Sequence, residues 1–452
     1  MTNESTAQTT APPDQAATWY ARTSTAGPRF PRLTFDLDVD VCVIGGGLAG
    51  LTVAREIARR DWSVALIEAG HIAGQASGRN LGFVVPGFAQ SVERLVERCG
   101  IAHAKALWAL AEDGVAYVRN TVLGLAMPGV DPVDGWLDVS KMDNTDAMMR
   151  TLTLLAHDFG VEVEGWPIER VRERLKSDAY FHGLYFPRAF HINPLHYAFG
   201  LATDAQRRGA RLFEETAALH IDPIGVRKRV STPAGKIRAN HIVLAGNVQL
   251  QDGAPELAAT ILPMTTYVAV TRPISDLADA VAYAGAVSDS RSADFHYRIV
   301  DSDRLIWSGG ATSWVGDPRR QAERIKLAIA RIYPQLGPVE IEHAWSGTMG
   351  FAVHRMPLIG EISPGLWVAS AFGGHGINTT AMAGQLIARA VVERDDTWRL
   401  FLPFELVWAG GSLGRAAAQV SSWAQRSLED ARSRRARKRA LAARGNAGAA
   451  AE

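Results

Sequence analysis

Residues 39–50 read VDVCVIGGGLAG, an apolar run that ends in a cluster of glycines. The run from Val39 to Ile44 is short, rich in β-branched residues and bounded by glycine, which predicts a buried strand. A second apolar run, Val64 to Ile67, predicts another strand. Between the two strands, apolar residues recur on one helical face, at Leu51, Ala54, Ile57 and Ala58. The order strand, glycine turn, helix, strand predicts the first unit of a Rossmann-type α/β fold.

The glycines of this turn have the spacing G-x-G-x-x-G, which favours a dinucleotide site. Gly45 permits a tight turn, Gly47 lets the backbone approach a pyrophosphate, and Gly50 lets helix and strand pack closely. The phosphates would meet the unpaired N–H groups of the first helical residues, Leu48 and Ala49, at the positive end of the helix dipole. The alternative is an ordinary glycine turn in an α/β domain that binds no cofactor.

Glu68 follows the second strand and is followed by Ala69. An acidic residue roughly 20 residues after the turn accepts hydrogen bonds from both hydroxyls of an adenosine ribose. Its charge repels a 2′-phosphate, which argues against NADP and leaves NAD and FAD open. The next residues, Gly74 to Phe83, form a second cluster of small and hydrogen-bonding groups. That cluster favours FAD, because its long ribityl chain and ring need donors beyond the first turn.

Two further segments carry a resemblance to a known family. Trp19 to Thr23 read WYART, and Ala76 to Gly82 read ASGRNLG, with Leu81 where the family has glycine. Together with the glycine turn and Glu68, they resemble the D-amino-acid oxidase-like FAD-dependent oxidoreductase superfamily, and within it the γ-glutamylputrescine oxidase-like branch. The resemblance implies FAD contacts along the second cluster, from Ala76, Ser77, Arg79, Asn80 and Leu81.

The C-terminal half contains a second match to the same superfamily. Trp345 to Gly347, a Pro-Leu-Ile-Gly run and the turn Phe372 to Asn378 precede a helix. A helix N-terminus aimed at the flavin ring would stabilise the negative charge that the reduced ring acquires. The resemblance implies that Ala218 lies near the adenine and Gly246 near the dinucleotide. It also implies flavin contacts from Gly374, His375, Gly376, Ile377 and Asn378.

The fold class predicted is α/β, or α+β overall, with a discontinuous Rossmann-type FAD-binding domain and a substrate domain of antiparallel sheet plus helices. The FAD-binding domain is assigned to residues 38–95, 185–250 and 340–400, and the substrate or cap domain to 96–184 and 251–339. Residues 1–37 form an N-terminal extension whose first 17 residues are expected to be disordered. Residues 401–452 are predicted as a C-terminal helix and a basic tail.

Composition excludes several classes of protein. A net charge of +1 over 452 residues gives no global field that favours nucleic acid. The only cysteines, Cys42 and Cys99, exclude a disulfide framework and favour a reducing compartment. With no secretion signal and no apolar run near the roughly 20 residues of a membrane span, the cytoplasm is the expected location. Attachment of the basic tail to a membrane surface is the less favoured alternative.

The predicted reaction is oxidation of a C–N bond in a primary or secondary amine or amino acid by hydride transfer to the flavin, followed by hydrolysis of the imine. The substrate is expected among the aromatic residues near Tyr297, which is one catalytic candidate. His375 in the glycine turn is another, and Arg298 and Arg355 are candidate cations. No metal site is predicted, and FAD is expected to be bound without a covalent link.

Two departures from the superfamily bear on the substrate and the electron acceptor. Asn378 stands where N-methyl amino acid oxidases of the superfamily have a lysine that binds the substrate carboxylate. No lysine occurs between Lys236 and Lys326, so a lysine that assists oxygen is missing there. Either oxygen or another electron acceptor is therefore possible. The remaining alternatives are an NAD-dependent dehydrogenase and a flavin-binding protein without turnover.

Overall fold

The computed structural model describes residues 18–23, 27–250, 254–289 and 295–421, together with residues 424, 427, 428 and 431. The predicted disorder of residues 1–17 and most of the predicted basic tail lie outside the described residues. Residues 411–421 are helical and lie within the segment 401–452 that was assigned to a C-terminal helix and basic tail. Among the helices of the described part, none combines the length and the apolar character needed to cross a membrane.

The described chain alternates strands with helices in its first half and is richer in antiparallel strands in its second half. The helices are α1 Trp19–Thr23, α2 Leu48–Ala58, α3 Val92–Cys99, α4 Ile101–Gly124, α5 Thr145–Thr153, α6 Ile168–Leu175, α7 Pro194–Arg207, α8 Pro255–Ala258, α9 Pro318–Ile332 and α10 Gly376–Glu393. The strands are β1 Leu37–Ile44, β2 Val64–Ile67, β3 Phe83–Val84, β4 Val133–Val139, β5 Glu164–Trp166, β6 Gly183–His191, β7 Arg211–Phe213, β8 His220–Asp222, β9 Lys228–Ser231, β10 Lys236–Leu244, β11 Leu262–Thr271, β12 Ala286–Ser288, β13 His296–Val300, β14 Arg304–Thr312, β15 Ile341–Phe351, β16 Leu358–Ser363 and β17 Leu366–Ser370.

The first sheet has the order β16-β17-β10-β1-β2-β7, with β9 and β8 added beside β10. Strands β1, β2, β7, β10 and β17 are mutually parallel, and Ile44 is in register with Leu244, which is in register with Val368. Helices α2, α7 and α10 contribute to the large apolar core that also includes residues of β1 and β2. A mostly parallel sheet packed against helices confirms the predicted Rossmann-type α/β domain.

In the described part of the chain, the second sheet has nine strands in the order β15-β11-β14-β13-β12-β4-β6-β3, with β5 beside β6, and only the pair β12–β4 is parallel there. One face packs on α6 and α9, where Val171, Ile325 and Ile329 share a core with Trp307. On the other face, Ile306 and neighbouring strand residues join the core of the first domain. The predicted antiparallel sheet plus helices is therefore present. One of its faces packs on helices of the same domain, and the other packs on the first domain.

The sheet pairings move several predicted domain boundaries. Strands β3, β6 and β15 pair within the second sheet, although residues 38–95, 185–250 and 340–400 were all assigned to the FAD-binding domain. Helix α4, assigned to the substrate domain within 96–184, packs in the same core as α10, through Leu107, Ala111 and Val118. Hydrophobic periodicity can indicate that a helix has a buried face, but it cannot show against which layer that face is buried.

A buried ion network joins four helices beneath the first sheet. Arg55 of α2 is 6% exposed and donates from Nε to Asp204 of α7 at 2.7 Å. Its Nη1 donates to the Glu56 carboxylate at 2.8 Å and to the Tyr117 hydroxyl of α4 at 2.6 Å. Arg60, which bonds Glu56, also bonds Glu393 of α10. Every charge in the network therefore has an opposite partner, which buried charges require.

We expect Asp204→Ala to lower the free energy of unfolding by about 3 kcal/mol, because it leaves the buried Arg55 guanidinium short of a carboxylate. Urea unfolding followed by tryptophan fluorescence measures the change. Asp38→Ala is the matched control, since it breaks only exposed pairs, with Arg227 and Arg238, and should leave the unfolding midpoint unchanged. Equal midpoints for Asp204→Ala and the wild type would contradict a stabilising role for the network.

Candidate active site

Three turns meet at one edge of the first sheet because β1, β10 and β17 are parallel and end there. Gly45 has a φ of +117°, and a Cβ on it would lie 2.7 Å from the carbonyl carbon of Ala245. A Cβ on Gly50 would lie 2.0 Å from the carbonyl oxygen of Gly45. Both positions thus require glycine. Gly45 must form the turn in contact with the end of β10, and Gly50 must let α2 pack closely against that turn. Gly246 lies in the same contact, since a Cβ on Gly45 would be 2.8 Å from its backbone nitrogen.

Glu68 lies at the end of β2, beside the first glycine turn. Its two carboxylate oxygens accept hydrogen bonds from the backbone N–H groups of Gly46 at 2.7 Å and Gly70 at 2.8 Å. Burial raises the pKa of Glu68, and these two N–H donors partly offset that effect. The carbonyl oxygen of Glu68 accepts from the N–H of Thr216 at 2.8 Å, which brings the half-buried Ala218 segment to the same end of the site. Ala69 is exposed.

Residues 76–82 lie over the glycine turn. The N–H of Leu48 donates to Ser77 Oγ at 3.0 Å, and a Cβ on Gly47 would lie 2.9 Å from the same oxygen. Asn80 Nδ2 donates to the carbonyl oxygens of Ala76 and Ser77, at 3.0 and 2.9 Å. The sequence predicted Asn80 as a cofactor contact. In the structure its side chain holds the backbone of the segment in shape.

Arg79 also bonds backbone groups. Its Nε donates to the carbonyl oxygen of Gly74 at 2.8 Å, and its Nη1 donates to that of Ser346 at 3.1 Å. The indole N–H of Trp345 returns a bond to the carbonyl oxygen of Arg79 at 2.9 Å. Arg79 therefore ties the second cofactor segment to β15. This is the contact that joins the N-terminal motif to the Trp-Ser-Gly motif that the sequence singled out separately.

The N-terminus of α10 forms the third part of the site. His375 is its N-cap residue and its side chain makes no capping bond, so the first N–H groups of the helix receive no side-chain acceptor. A Cβ on Gly374 or Gly376 would meet nothing within 4 Å, which leaves open space in front of the helix. Ile377 is buried in the core, and the Asn378 amide donates to the carbonyl oxygens of Gly87 and Ala111. The side chain of Asn378 thus faces α4, contrary to the predicted role as a cofactor contact.

These features fit an extended dinucleotide. A carboxylate for a ribose, a glycine turn that admits no side chain and an uncapped helix N-terminus lie along one sheet edge, which a cofactor of the length of FAD would cross. FAD, when bound, supplies the acceptor for a hydride. Gly47, Ser77 and Glu68 would hold its phosphates and ribose, and the α10 N-terminus would face its ring. No group of three or more potential metal-ligating side chains occurs in the part of the chain that the structure describes.

The predicted catalytic residue Tyr297 lies on the wrong face of the second sheet. Its ring stacks on Trp307 with centroids 4.0 Å apart, and its hydroxyl bonds those of Tyr333 at 2.6 Å and Tyr180 at 3.1 Å. It is fully buried in the core beneath α9. The prediction relied on the concentration of aromatic residues, but successive strand residues point to opposite faces, and this ring points to the core.

The two predicted cations also lie outside the centre of the site. Arg298 is buried, and its guanidinium donates to the carbonyl oxygens of Leu81 at 2.7 Å and Ile192 at 3.3 Å, and to the Tyr20 hydroxyl at 3.3 Å. It therefore fastens α1 and the second cofactor segment to β13. Arg355 is exposed, with a φ of +59° in the turn after β15. The role of Arg298 is therefore structural, and no contact of either side chain with His375 is found among the described residues.

The structure adds a cluster that the sequence did not predict, formed by His296, Ser288 and Trp136 beside His375. His296 Nδ1 lies 2.8 Å from Ser288 Oγ, and the Trp136 indole N–H donates to the same oxygen at 2.8 Å. The Trp136 ring meets the His375 ring edge-on at 6.5 Å, and Phe83 meets His296 in the same way at 5.9 Å. In the sequence, the only indication of this face is that His296 and Arg298 are two residues apart, which places both side chains on the same face of a strand.

Both histidines of the site have lowered pKa values. Burial lowers the pKa of His296 to about 4, and the charge of His375 adds to the effect. Burial also lowers the pKa of His375 to about 4, against a hydrogen bond with the Pro86 carbonyl that raises it. Each imidazole is half-buried and neutral at pH 7. At the N-terminus of α10, the site therefore contains neutral polar groups between aromatic rings.

The fold and the site together define a dinucleotide-dependent α/β oxidoreductase that is built on two sheets. Residues 40–390 match the family described as FAD dependent oxidoreductase, and the chain belongs to that family. FAD is accordingly its cofactor, and the family resemblance and the cofactor predicted from the sequence are confirmed. The NAD-dependent alternative is set aside.

Relatives of similar length agree with this assignment. The chain is 29% identical over 395 residues to the γ-glutamylputrescine oxidoreductase of Escherichia coli (strain K12), which covers 85% of this chain and 92% of that protein. It is 28% identical over 402 residues to the probable oxidoreductase OrdL of Rhizobium meliloti (strain 1021), covering 88% and 94%. The crystal structure of glycine oxidase from Geobacillus kaustophilus superposes with a TM-score of 0.71 at 21% identity, covering 82% and 99%. That last likeness concerns the fold alone.

Glu68→Ala is expected to bind FAD roughly 100-fold more weakly, because two charge-assisted hydrogen bonds to the ribose are lost. The flavin-to-protein ratio of the purified variant, read from visible absorbance, measures the loss. Glu215→Ala removes a nearby exposed carboxylate that pairs with Arg32, and it should keep the wild-type ratio. Stoichiometric flavin in Glu68→Ala would contradict the assigned ribose contact.

Proposed function

We propose that this oxidoreductase acts on the C–N bond of a primary or secondary amine or amino acid. The substrate carbon next to nitrogen loses a hydride, and with it two electrons, to flavin N5. The resulting imine takes up water to give a carbonyl compound and a free amine or ammonia. The observation that carries the proposal is the cluster of aromatic rings and neutral imidazoles at the N-terminus of α10. It suits an amine that must react uncharged.

Deprotonation of the amine is the costly step at pH 7. For an alkylamine with a pKa of about 10.4, it costs roughly 4 to 5 kcal/mol in water. Surroundings of low polarity disfavour the charged form and lower that pKa. Trp136, Phe186 and Phe83 supply such surroundings, with the first two rings stacked at 4.6 Å. The uncharged histidines can form hydrogen bonds with a ligand, and they introduce no charge that would need an opposite partner.

The N-terminus of α10 supports the other half of the reaction. Its 18 residues carry a macrodipole whose positive end lies at the residues assigned to the flavin ring. A positive potential fixed at this place stabilises negative charge as it develops and needs no reorganisation during the reaction. With its side chain making no capping bond, His375 leaves the N–H groups of the first turn available to a ligand.

The names of two relatives support an amine or amino acid as substrate, namely γ-glutamylputrescine oxidoreductase and glycine oxidase. Of the two, the first is the better model for the substrate. Glycine carries a carboxylate beside its amine, whereas the rings that meet His375 and His296, Trp136 and Phe83, are uncharged. The electron acceptor is either oxygen or another oxidant. Arg298, engaged by two carbonyl oxygens, is a poor candidate to assist oxygen.

Anaerobic addition of amines to the holoenzyme tests the proposal. We expect γ-glutamylputrescine to bleach the flavin absorbance at least about 10 times faster than glycine. The carboxylate of glycine lies on the reacting carbon and would be unpaired among neutral groups, at a cost of several kcal/mol, whereas that of γ-glutamylputrescine lies at the far end of the molecule. Tyr297→Phe, altered on the core face of β13, should bleach at the wild-type rate. If dithionite bleaches the flavin and no amine of a panel does, a flavin-binding protein without turnover is the correct description.

The pH dependence of bleaching provides a further prediction. Both imidazoles have pKa values near 4, so they stay neutral from pH 5.5 upwards and do not titrate over the measured range. The rate should therefore rise with pH as the amine loses its proton, without an inflection near 6.5. Stopped-flow bleaching between pH 5.5 and 9.5 measures it. An inflection near 6.5 that disappears in His375→Gln would contradict a neutral His375.

A further inference from the structure

We infer that His296 contacts the substrate directly. Ser288 and Trp136 hold its neutral ring so that it donates a hydrogen bond to an uncharged acceptor of the substrate, such as an amide carbonyl. The inference deepens the proposed function and rests on it. It assigns one specificity-determining side chain to the pocket, on the substrate-facing side of β13. It also states the chemical class of the group that this side chain recognises.

The hydrogen-bond pattern favours the tautomer of His296 that carries its proton on Nε2. An indole N–H can only donate, so Ser288 Oγ accepts from Trp136 at 2.8 Å. The Ser288 hydroxyl still has its own hydrogen to donate, and the acceptor found for it among the described residues is His296 Nδ1 at 2.8 Å. Nδ1 therefore accepts, and the proton of the neutral ring lies on Nε2. The free Nε2–H is then a donor for a ligand.

The sheet register makes this arrangement rigid. Ser288 of β12 pairs directly with His296 of β13, and Trp136 of β4 pairs with Ala286, two residues before Ser288 on the same face. Positions held by strand pairing are placed more accurately than positions on loops. The opposite face, through Val287 and Tyr297, belongs to the buried core. The His296 ring thus cannot turn away without breaking the network.

A second polar atom complements the first. His375 Nδ1 is buried without a hydrogen-bond partner among the described residues. A ligand that pairs with this atom would remove the cost of leaving it unbonded. A donor on His296 beside a second unpaired imidazole nitrogen suits an uncharged polar group, which can both accept and donate, better than a carboxylate, which only accepts.

Anaerobic bleaching of holoenzyme variants tests the contact, with γ-glutamylputrescine and putrescine as probes. His296→Leu should raise the half-saturating concentration of γ-glutamylputrescine about tenfold, the effect of one lost hydrogen bond, and leave that of putrescine unchanged, because putrescine has no carbonyl. His296→Gln, whose amide can still donate, should stay near the wild-type value. Equal half-saturating concentrations for His296→Leu and the wild type would overturn the inference while the proposed function stands.

A spectroscopic measurement keeps the test independent of turnover. In holoenzyme with 15N-labelled histidine, the resonances that disappear in His296→Gln belong to His296. At pH 7 they should report a neutral ring protonated on Nε2, and Ser288→Ala should shift them towards a mixture of tautomers. Addition of γ-glutamylputrescine should move the Nε2 resonance even if no amine bleaches the flavin, an outcome that would refute only the proposed function. A ring protonated on Nδ1, or no response to the ligand, would overturn the inference.

Discussion

The parallel pairing of β1, β10 and β17 is the constraint on which the site depends. Because the carboxyl ends of parallel strands meet at one edge, the turns after Ile44, Leu244 and Ser370 come together although they are far apart in the sequence. Close packing enforces the arrangement, since Gly45 leaves no room for a side chain against Ala245. A change of register would separate Glu68 from the N-terminus of α10, and one cofactor could no longer reach both.

The second sheet shows how one strand can serve a core and a site at once. Tyr297 stacks on Trp307 beneath α9, while its neighbour His296 bonds Ser288 on the other face. The alternation of strand side chains makes this division possible without a loop. It also explains the high density of aromatic residues in this region, because both faces of the sheet are buried, one against helices and one against the cofactor domain.

The charged residues of the molecule are organised around its backbone rather than around the reaction centre. Arg79 and Arg298 donate to backbone carbonyl oxygens and thereby hold residues 76–82 in place over the glycine turn. The ion network of Arg55 and Asp204 does the same for the helices below the sheet. What remains near His375 is a neutral, aromatic surface together with the dipole of α10, a combination suited to an uncharged amine.

The local pattern of the sequence was sufficient for the α/β class and the glycine turn, because turn chemistry and hydrophobic periodicity act over a few residues. Together with the family resemblance it was also sufficient for FAD as cofactor. Side-chain direction was beyond its reach. Whether Tyr297 or His296 faces the cofactor depends on which face of β13 the helices cover, and Asn378 turns towards α4 for the same kind of reason. Such choices arise from packing between segments distant in the sequence, so they exist only once the layers have assembled.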